Sequence, residues 1–218
     1  MLPLVSFAAL AACDGPRSTL DPAGPGAAQV AILWHVMLGA AAVLLALVCA
    51  LAVLPFVKRG AGARVPERVW LWGGGLALPA LGLAALMTYA FAIEARAVRP
   101  EGAMRVEASA RQWAWTFAYP GEPGAPVTDD VLHIPAGEPV AISVTSEDVI
   151  HSFWVPRLAG KRDAIPGRAS VVTIRADAPG TYAGVCGEYC GTGHAIMTMT
   201  VIAHPPEEFA AALAEAAR

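Results

Sequence analysis

The chemistry of the chain is densest in VCGEYCGTGHAIM, residues 185–197. Cys186 and Cys190 are four apart, His194 follows four later, and Met197 three after that. Thiolate and thioether are soft ligands and imidazole is borderline, a set that suits copper better than any hard cation. Glu188 lies between the cysteines, and Gly187, Gly191 and Gly193 let the backbone turn tightly. His151, in the apolar stretch VIHSFWVP, is a further candidate ligand. Four arrangements compete. A Cys2His2 zinc site leaves Met197 idle. A Cys186–Cys190 disulfide leaves both histidines and the thioether without a reason to converge. A mononuclear blue-copper site has one cysteine too many. A dinuclear copper site, with two bridging thiolates and a histidine on each metal, uses the whole set.

The rest of the chain must carry this loop. It has 218 residues, is 56% hydrophobic and has a mean hydropathy of +0.52, too apolar for an ordinary soluble protein. A net charge of −3 gives no footprint for nucleic acid. From residue 100 onward there are 8 Lys/Arg against 14 Asp/Glu, a local net of −6, whereas the first 99 residues carry 7 against 4. An acidic domain of this kind suits a basic partner steered to it by charge. Four cysteines, two of them (Cys13 and Cys49) in apolar N-terminal segments, form no disulfide framework.

Residues 1–12 are apolar, and Leu10-Ala11-Ala12-Cys13 resembles a lipoprotein cleavage box, so 1–12 is expected to be a signal peptide and Cys13 a lipidation site. Residues 13–29 are rich in Pro, Gly and Ala and are expected to form an extended linker. Residues 30–94 are expected to form a two-helix transmembrane hairpin. Val30–Val57 lacks any charged residue, Val69–Ile93 is alike, and each is long enough for a ~30 Å hydrocarbon core. Trp34, Trp70 and Trp72 mark span ends, and Gly73, Gly74, Gly75 and Pro79 a bend or close helix contact. His35 suits a helix contact. The intervening KRGAGARVPER, with Lys58, Arg59, Arg64 and Arg68, belongs in the cytoplasm by the positive-inside rule. Both ends then lie outside the plasma membrane.

Residues 100–204 are expected to form an all-β sandwich or small barrel with Greek-key connections. The strands are read at 104–110, 113–119, 140–145, 170–176, 181–185 and 197–203, separated by Pro-Gly turns. Residues 205–218 are expected to be a helix with Phe209 and Leu213 on one face.

RQWAWTF (111–117), DVIHSFWVP (148–156), KRDAIPGR (161–168) and CGEYCGTGHAIM (186–197), in this order and spacing, resemble subunit II of haem–copper cytochrome c oxidases. The resemblance implies a cupredoxin fold carrying the dinuclear copper centre called CuA. Cys186 and Cys190 would bridge the coppers, His151 and His194 would bind one each, and Met197 and the Glu188 carbonyl would complete the shells. The Glu188 side chain would reach a magnesium ion at the junction with subunit I. Trp113 would receive electrons from cytochrome c, and Asp163 and Arg168 would face subunit I. Glu67 would stand at the mouth of a proton channel, although PERVWLWGGG departs from the commoner family pattern. Subunit III is a further implied partner. The retained copper ligands argue against quinol as donor, and the lack of C-x-x-C-H implies a separate cytochrome.

Blander roles are open to several of these residues. Trp113 and Trp115 alternate, so one should point into the core. Asp163 and Arg168 could form a loop ion pair, and His133 suits an ordinary strand position. His204 draws no role. Asp129, Asp130, Glu147 and Asp148 are acidic docking candidates or solvated surface. Two other functions compete with the oxidase reading, the copper-bearing subunit of a related nitric oxide reductase and a membrane-anchored copper-binding or assembly module.

Overall fold

A computed structural model describes residues 14–58, 65–96 and 102–218. Cys13, Arg59 and Arg64 lie outside the described residues. The chain divides into two compact units, Ile32–Val98 and Met1–Ala31 with Arg99–Arg218.

The first unit is helical. Helix α1 runs Pro25–Val57, and a second helical stretch begins with a π-helical segment, Val69–Ala77, that continues as α2, Leu78–Arg96. Both are long and apolar enough to cross a membrane. Their apolar side chains are exposed, Val43 at 69% and Phe56 at 88%, as expected of a surface that meets lipid. Gly73–Gly75, where a bend or a close helix contact was expected, lie within the wider π-helical segment.

The second unit is a sandwich of two five-stranded sheets. The strands are β1 Met104–Arg111, β2 Ala114–Ala118, β3 Val127–Asp129, β4 Val131–Pro135, β5 Val140–Ser146, β6 His151–Trp154, β7 Arg162–Ala164, β8 Ser170–Ile174, β9 Gly180–Cys186 and β10 Thr198–His204. One sheet is ordered β3-β2-β1-β5-β8 and the other β4-β10-β9-β6-β7. Burial alternates along β2, β9 and β10, the signature of strands with one face on a core. β3, β4, β6 and β7 were not among the predicted strands. β3, β6 and β7 run only three or four residues, and β4 is buried at four consecutive positions, so it does not alternate.

Trp115 and Phe117 point inward from β2, and with Tyr119 just beyond its end they are fully buried. The Phe153 ring meets Trp115 edge-on at 5.7 Å and Phe117 at 6.3 Å. Each such ring contributes roughly 1.5–3 kcal/mol by burial. Tyr119 also accepts a hydrogen bond from the His133 backbone N–H at 2.7 Å, and burial pushes its phenol up to about 12. Helix α3, Pro206–Ala216, buries Phe209 and Leu213, with Glu207 and Glu208 in the first turn where the helix dipole favours negative charge.

The stretch read as an extended linker differs from that expectation. Helix α1 already starts at Pro25, and the preceding residues are bonded to the sandwich. Ala23 N–H donates to the Arg157 carbonyl, Ala27 N–H to Leu158, and Asp177 N–H to the Ala23 carbonyl. Arg157 clamps Asp21 through its carbonyl at 2.9 Å and its carboxylate at 2.7 Å. Gly24 is required here. A Cβ at this position would sit 2.1 Å from the Arg175 carbonyl oxygen. These partners lie more than 130 residues away, beyond the reach of any local pattern.

Candidate metal centre

β9 and β10 are antiparallel neighbours with Val185 opposite Thr198, so residues 186–197 form a loop whose ends meet. The Cys186 N–H donates to the Met197 carbonyl at 3.0 Å and closes it. Within the loop, His194 N–H bonds Gly191, and Ile196 and Met197 N–H both bond Gly193, which winds a short 3₁₀ turn, His194–Ile196. The Gly187 N–H donates to the Ser152 carbonyl at 2.8 Å and fastens the loop to β6. β6 pairs Phe153 with Cys186, which brings His151 to the same end of the sheet.

This backbone gathers one donor set. The Cys186 and Cys190 sulfurs are 3.8 Å apart, and both thiols are free. That separation is nearly twice the ~2.05 Å of a disulfide bond. His151 Nδ1 lies 3.8 Å from the Cys186 sulfur, His194 Nδ1 3.6 Å from the Cys190 sulfur, and Met197 Sδ 3.7 Å from the Cys190 sulfur. The Cys186 thiol donates to the Glu188 carbonyl at 3.2 Å. Cys186, Cys190, His151 and Met197 are buried, and His194 is half-buried. Burial, then the neighbouring Cys186, pushes the Cys190 thiol up to about 11. A metal would have to displace that proton, since the thiolate is the ligand. Two sulfurs in the middle, one imidazole beside each, and a thioether and a carbonyl at the margin fit two soft-to-borderline ions.

His151 is oriented from behind. Its Nε2 lies 2.8 Å from Asp148 Oδ1, which leaves Nδ1 facing the thiols. Burial opposes the Asp148 charge, yet bonds from His151, Gln112 N–H and Val149 N–H hold its carboxyl down at about 2. Asp148 was a docking candidate in the sequence, and its contact with His151 was missed. The signal was present as the three-residue spacing of DVIH.

Trp115 is the tryptophan of WAW that enters the core, and Trp113, 40% exposed, sits in the turn before β2. The Trp113 indole N–H donates to the Cys190 carbonyl at 3.3 Å. Its ring lies over Gly193, where an added Cβ would meet Trp113 Cδ2 at 2.3 Å. Gln112, unassigned by the sequence reading, donates from its side chain to the same carbonyl at 2.7 Å.

Asp163 accepts from Ser152 Oγ at 2.8 Å and Lys161 Nζ at 3.0 Å, bonds that lower its pKa. Those partners, rather than Arg168, hold it, and Arg168 shares a shallow surface depression with Lys161, Asp163 and Ile165. Lys161 also reaches the Glu188 carboxylate at 3.1 Å, and hydrogen bonds to Asp163 and Glu188 raise its pKa. Glu67 is exposed and lies in the helical turn before Val69. His133 Nδ1 is 2.9 Å from His204 Nε2 with the rings stacked, a pair on the neighbouring strands β4 and β10.

Residues 121–204 match the family described as cytochrome c oxidase subunit II, periplasmic domain. The chain is 42% identical over 106 residues to cytochrome c oxidase subunit 2 of Synechocystis sp., covering 49% of this chain and 31% of that one. It is 31% identical over 153 residues to the subunit of Cereibacter sphaeroides, covering 54% and 50%. The chain thus spans a third to a half of these relatives' length. The crystal structure of the periplasmic domain of subunit II of cytochrome oxidase of Bradyrhizobium japonicum superposes with a TM-score of 0.51 at 30% identity, covering 55% of this chain and 96% of that one. On the cupredoxin-like sandwich, the two apolar helices and this match across nearly the whole of a solved relative, the chain belongs to the cytochrome c oxidase subunit II family.

Proposed function

We propose that this chain is the electron-accepting subunit of a cytochrome c oxidase. It takes electrons from cytochrome c and passes them to the haem of subunit I, where oxygen is reduced to water; His151 and residues of the 186–197 loop would hold the two coppers this requires. One observation carries the reading: five soft-to-borderline donors and one backbone carbonyl form a continuous chain of contacts of 3.2–3.8 Å. Cys186, Cys190, His151, His194, Met197 and the Glu188 carbonyl would hold the metals. Two coppers bound there would supply a one-electron relay.

The protein's own residues do the rest. The closed loop and the buried aromatic layer under His151 fix the ligands in advance, so little rearranges when charge arrives. Trp113, part-exposed and bonded to the Cys190 carbonyl, would be the gateway from the donor. Exposed Val149, Ile150, Tyr189 and Ile196 offer apolar contact on the loops that carry the site, and Glu147 and Asp148 offer charge to a basic cytochrome. Asp163 and Arg168 would face subunit I. Magnesium takes about six oxygen ligands, so the Glu188 carboxylate, already shared with Lys161, could give only one of them at the subunit junction. Glu67 would serve a proton channel in subunit I.

The two apolar helices and the basic loop between them support a bacterial plasma-membrane location with the sandwich on the periplasmic side. Cys13 would be lipidated there, and subunit III would complete the assembly. The test is purification of the chain from its native membrane and stopped-flow mixing with reduced cytochrome c. Co-purification with a haem–copper subunit, and donor oxidation strongly slowed but measurable in Trp113→Phe, are expected. A chain that purifies with copper but neither binds such a subunit nor oxidises the cytochrome would favour the assembly module instead.

A further inference from the structure

We propose that Gln112 is a positioning residue that locks the Trp113 indole onto the ligand loop. This rests on the reading of Trp113 as the electron gateway. Gln112 is bonded on two sides at once. Its backbone N–H donates to Asp148 Oδ2 at 2.7 Å, and the other oxygen of that carboxylate holds His151 Nε2 at 2.8 Å. Its side-chain Nε2 donates to the Cys190 carbonyl at 2.7 Å, the acceptor that also takes the Trp113 N–H at 3.3 Å. One residue therefore ties the histidine side of the donor set to the cysteine side, immediately before the tryptophan.

The bond to Cys190 is the shorter of the two made by that carbonyl, and the Trp113 bond is long. A part-exposed indole held by a single long bond would swing. Gln112 limits this swing by fixing the carbonyl and the backbone beside it. The loop is cut to suit. Gly191, at φ +115, would place a Cβ 2.9 Å from Gln112 Nε2, so the amide lies directly on the loop backbone.

The chemistry demands an amide. Cys190 presents a carbonyl acceptor, so the side chain must donate. A carboxylate of the same shape only accepts, and would repel that carbonyl. Gln112→Glu is thus nearly isosteric and removes the bond, and Gln112→Met keeps the length and removes the polarity.

The test uses the full chain in its oxidase assembly, labelled with 5-fluorotryptophan, with the Trp113 fluorine resonance assigned by its loss in Trp113→Phe. Expected for Gln112→Glu are an unchanged copper spectrum, an unchanged half-saturating cytochrome concentration, and a saturating rate lowered about tenfold or more. The Trp113 resonance should shift or broaden, in copper-free protein as well. Combining Gln112→Glu with Trp113→Phe should slow transfer no further than Trp113→Phe alone. A wild-type resonance and rate in Gln112→Glu would overturn the proposal. So would a rise in half-saturating concentration alone, which would mark a docking contact, or loss of the copper spectrum in both Gln112→Glu and Gln112→Met, which would mark a support of the ligand loop. If Trp113→Phe leaves the rate unchanged, the gateway reading itself fails, whatever the fluorine signal shows for Gln112.

Discussion

Gly193→Ala isolates the contact between the ligand loop and Trp113. Gly193 has φ −88° and ψ 7°, in the bridge region that alanine can occupy, so the substitution adds no positive-φ strain. The new methyl would lie 2.3 Å from Trp113 Cδ2, 2.6 Å from Cγ and 2.8 Å from Cε2, where ordinary contact begins at 3.4 Å. The ring must retreat by about 1 Å, which is the scale at which misplaced groups lose up to about a hundredfold in rate. Trp113 is 40% exposed and can retreat into solvent, so the fold should lose no more than about 1 kcal/mol, the low end for overpacking. Stopped-flow oxidation of reduced cytochrome c by the assembled oxidase is expected to slow by about tenfold to a hundredfold with the copper absorbance unchanged. Wild-type transfer with the mutation in place would refute the reasoning, because the ring contact would then be irrelevant to electron arrival. Gly191→Ala is the contrast. At φ +115° it strains the backbone as well, and copper retention should fall along with the rate.

Three further outcomes are expected. Met197→Leu, at a buried site close in volume, should cost less than about 1.5 kcal/mol and keep both coppers while shifting their potential and visible spectrum, read by redox titration. Gly24→Ala should detach residues 18–27 from the sandwich and lower stability by about 1–3 kcal/mol, seen as faster proteolysis before Pro25. Burial, then the nearby His204, lowers the pKa of His133, so the folded state favours the neutral ring and the unfolded chain takes up the proton first. That part of the stability is present above about pH 6.5 and is lost as pH falls toward the depressed folded value, and denaturant titrations from pH 8 to 5 should show the loss lessened in His204→Gln.

The parts of this molecule written in local pattern were legible in the sequence. The Cys-x3-Cys-x3-His-x2-Met spacing is local, and the loop geometry it implied gathers the donors. Helices long enough to cross a membrane announce themselves by uninterrupted hydrophobicity, and strands with one face on the core by alternation over five or more residues. Contacts set by the fold were hidden. Asp21 meets Arg157, His133 meets His204, and Gln112 meets Cys190 only because the sandwich brings distant segments together. Trp113 read as a strand residue because WAW alternates, yet the strand starts one residue later and frees its ring for the ligand loop. The π-helical turn at Val69–Ala77 also has no periodic signal of its own, since glycine tolerates either geometry.

The central claim is that two thiolates hold two metals as one unit. Copper analysis and electron paramagnetic resonance of the full-length protein, purified in detergent and loaded under reducing conditions, test it most directly. The account predicts about two coppers per chain and hyperfine structure from one electron shared over two nuclei, with both features lost in Cys186→Ser and in Cys190→Ser. A single copper with an isolated-ion spectrum, or the same spectrum after either cysteine is removed, would contradict it.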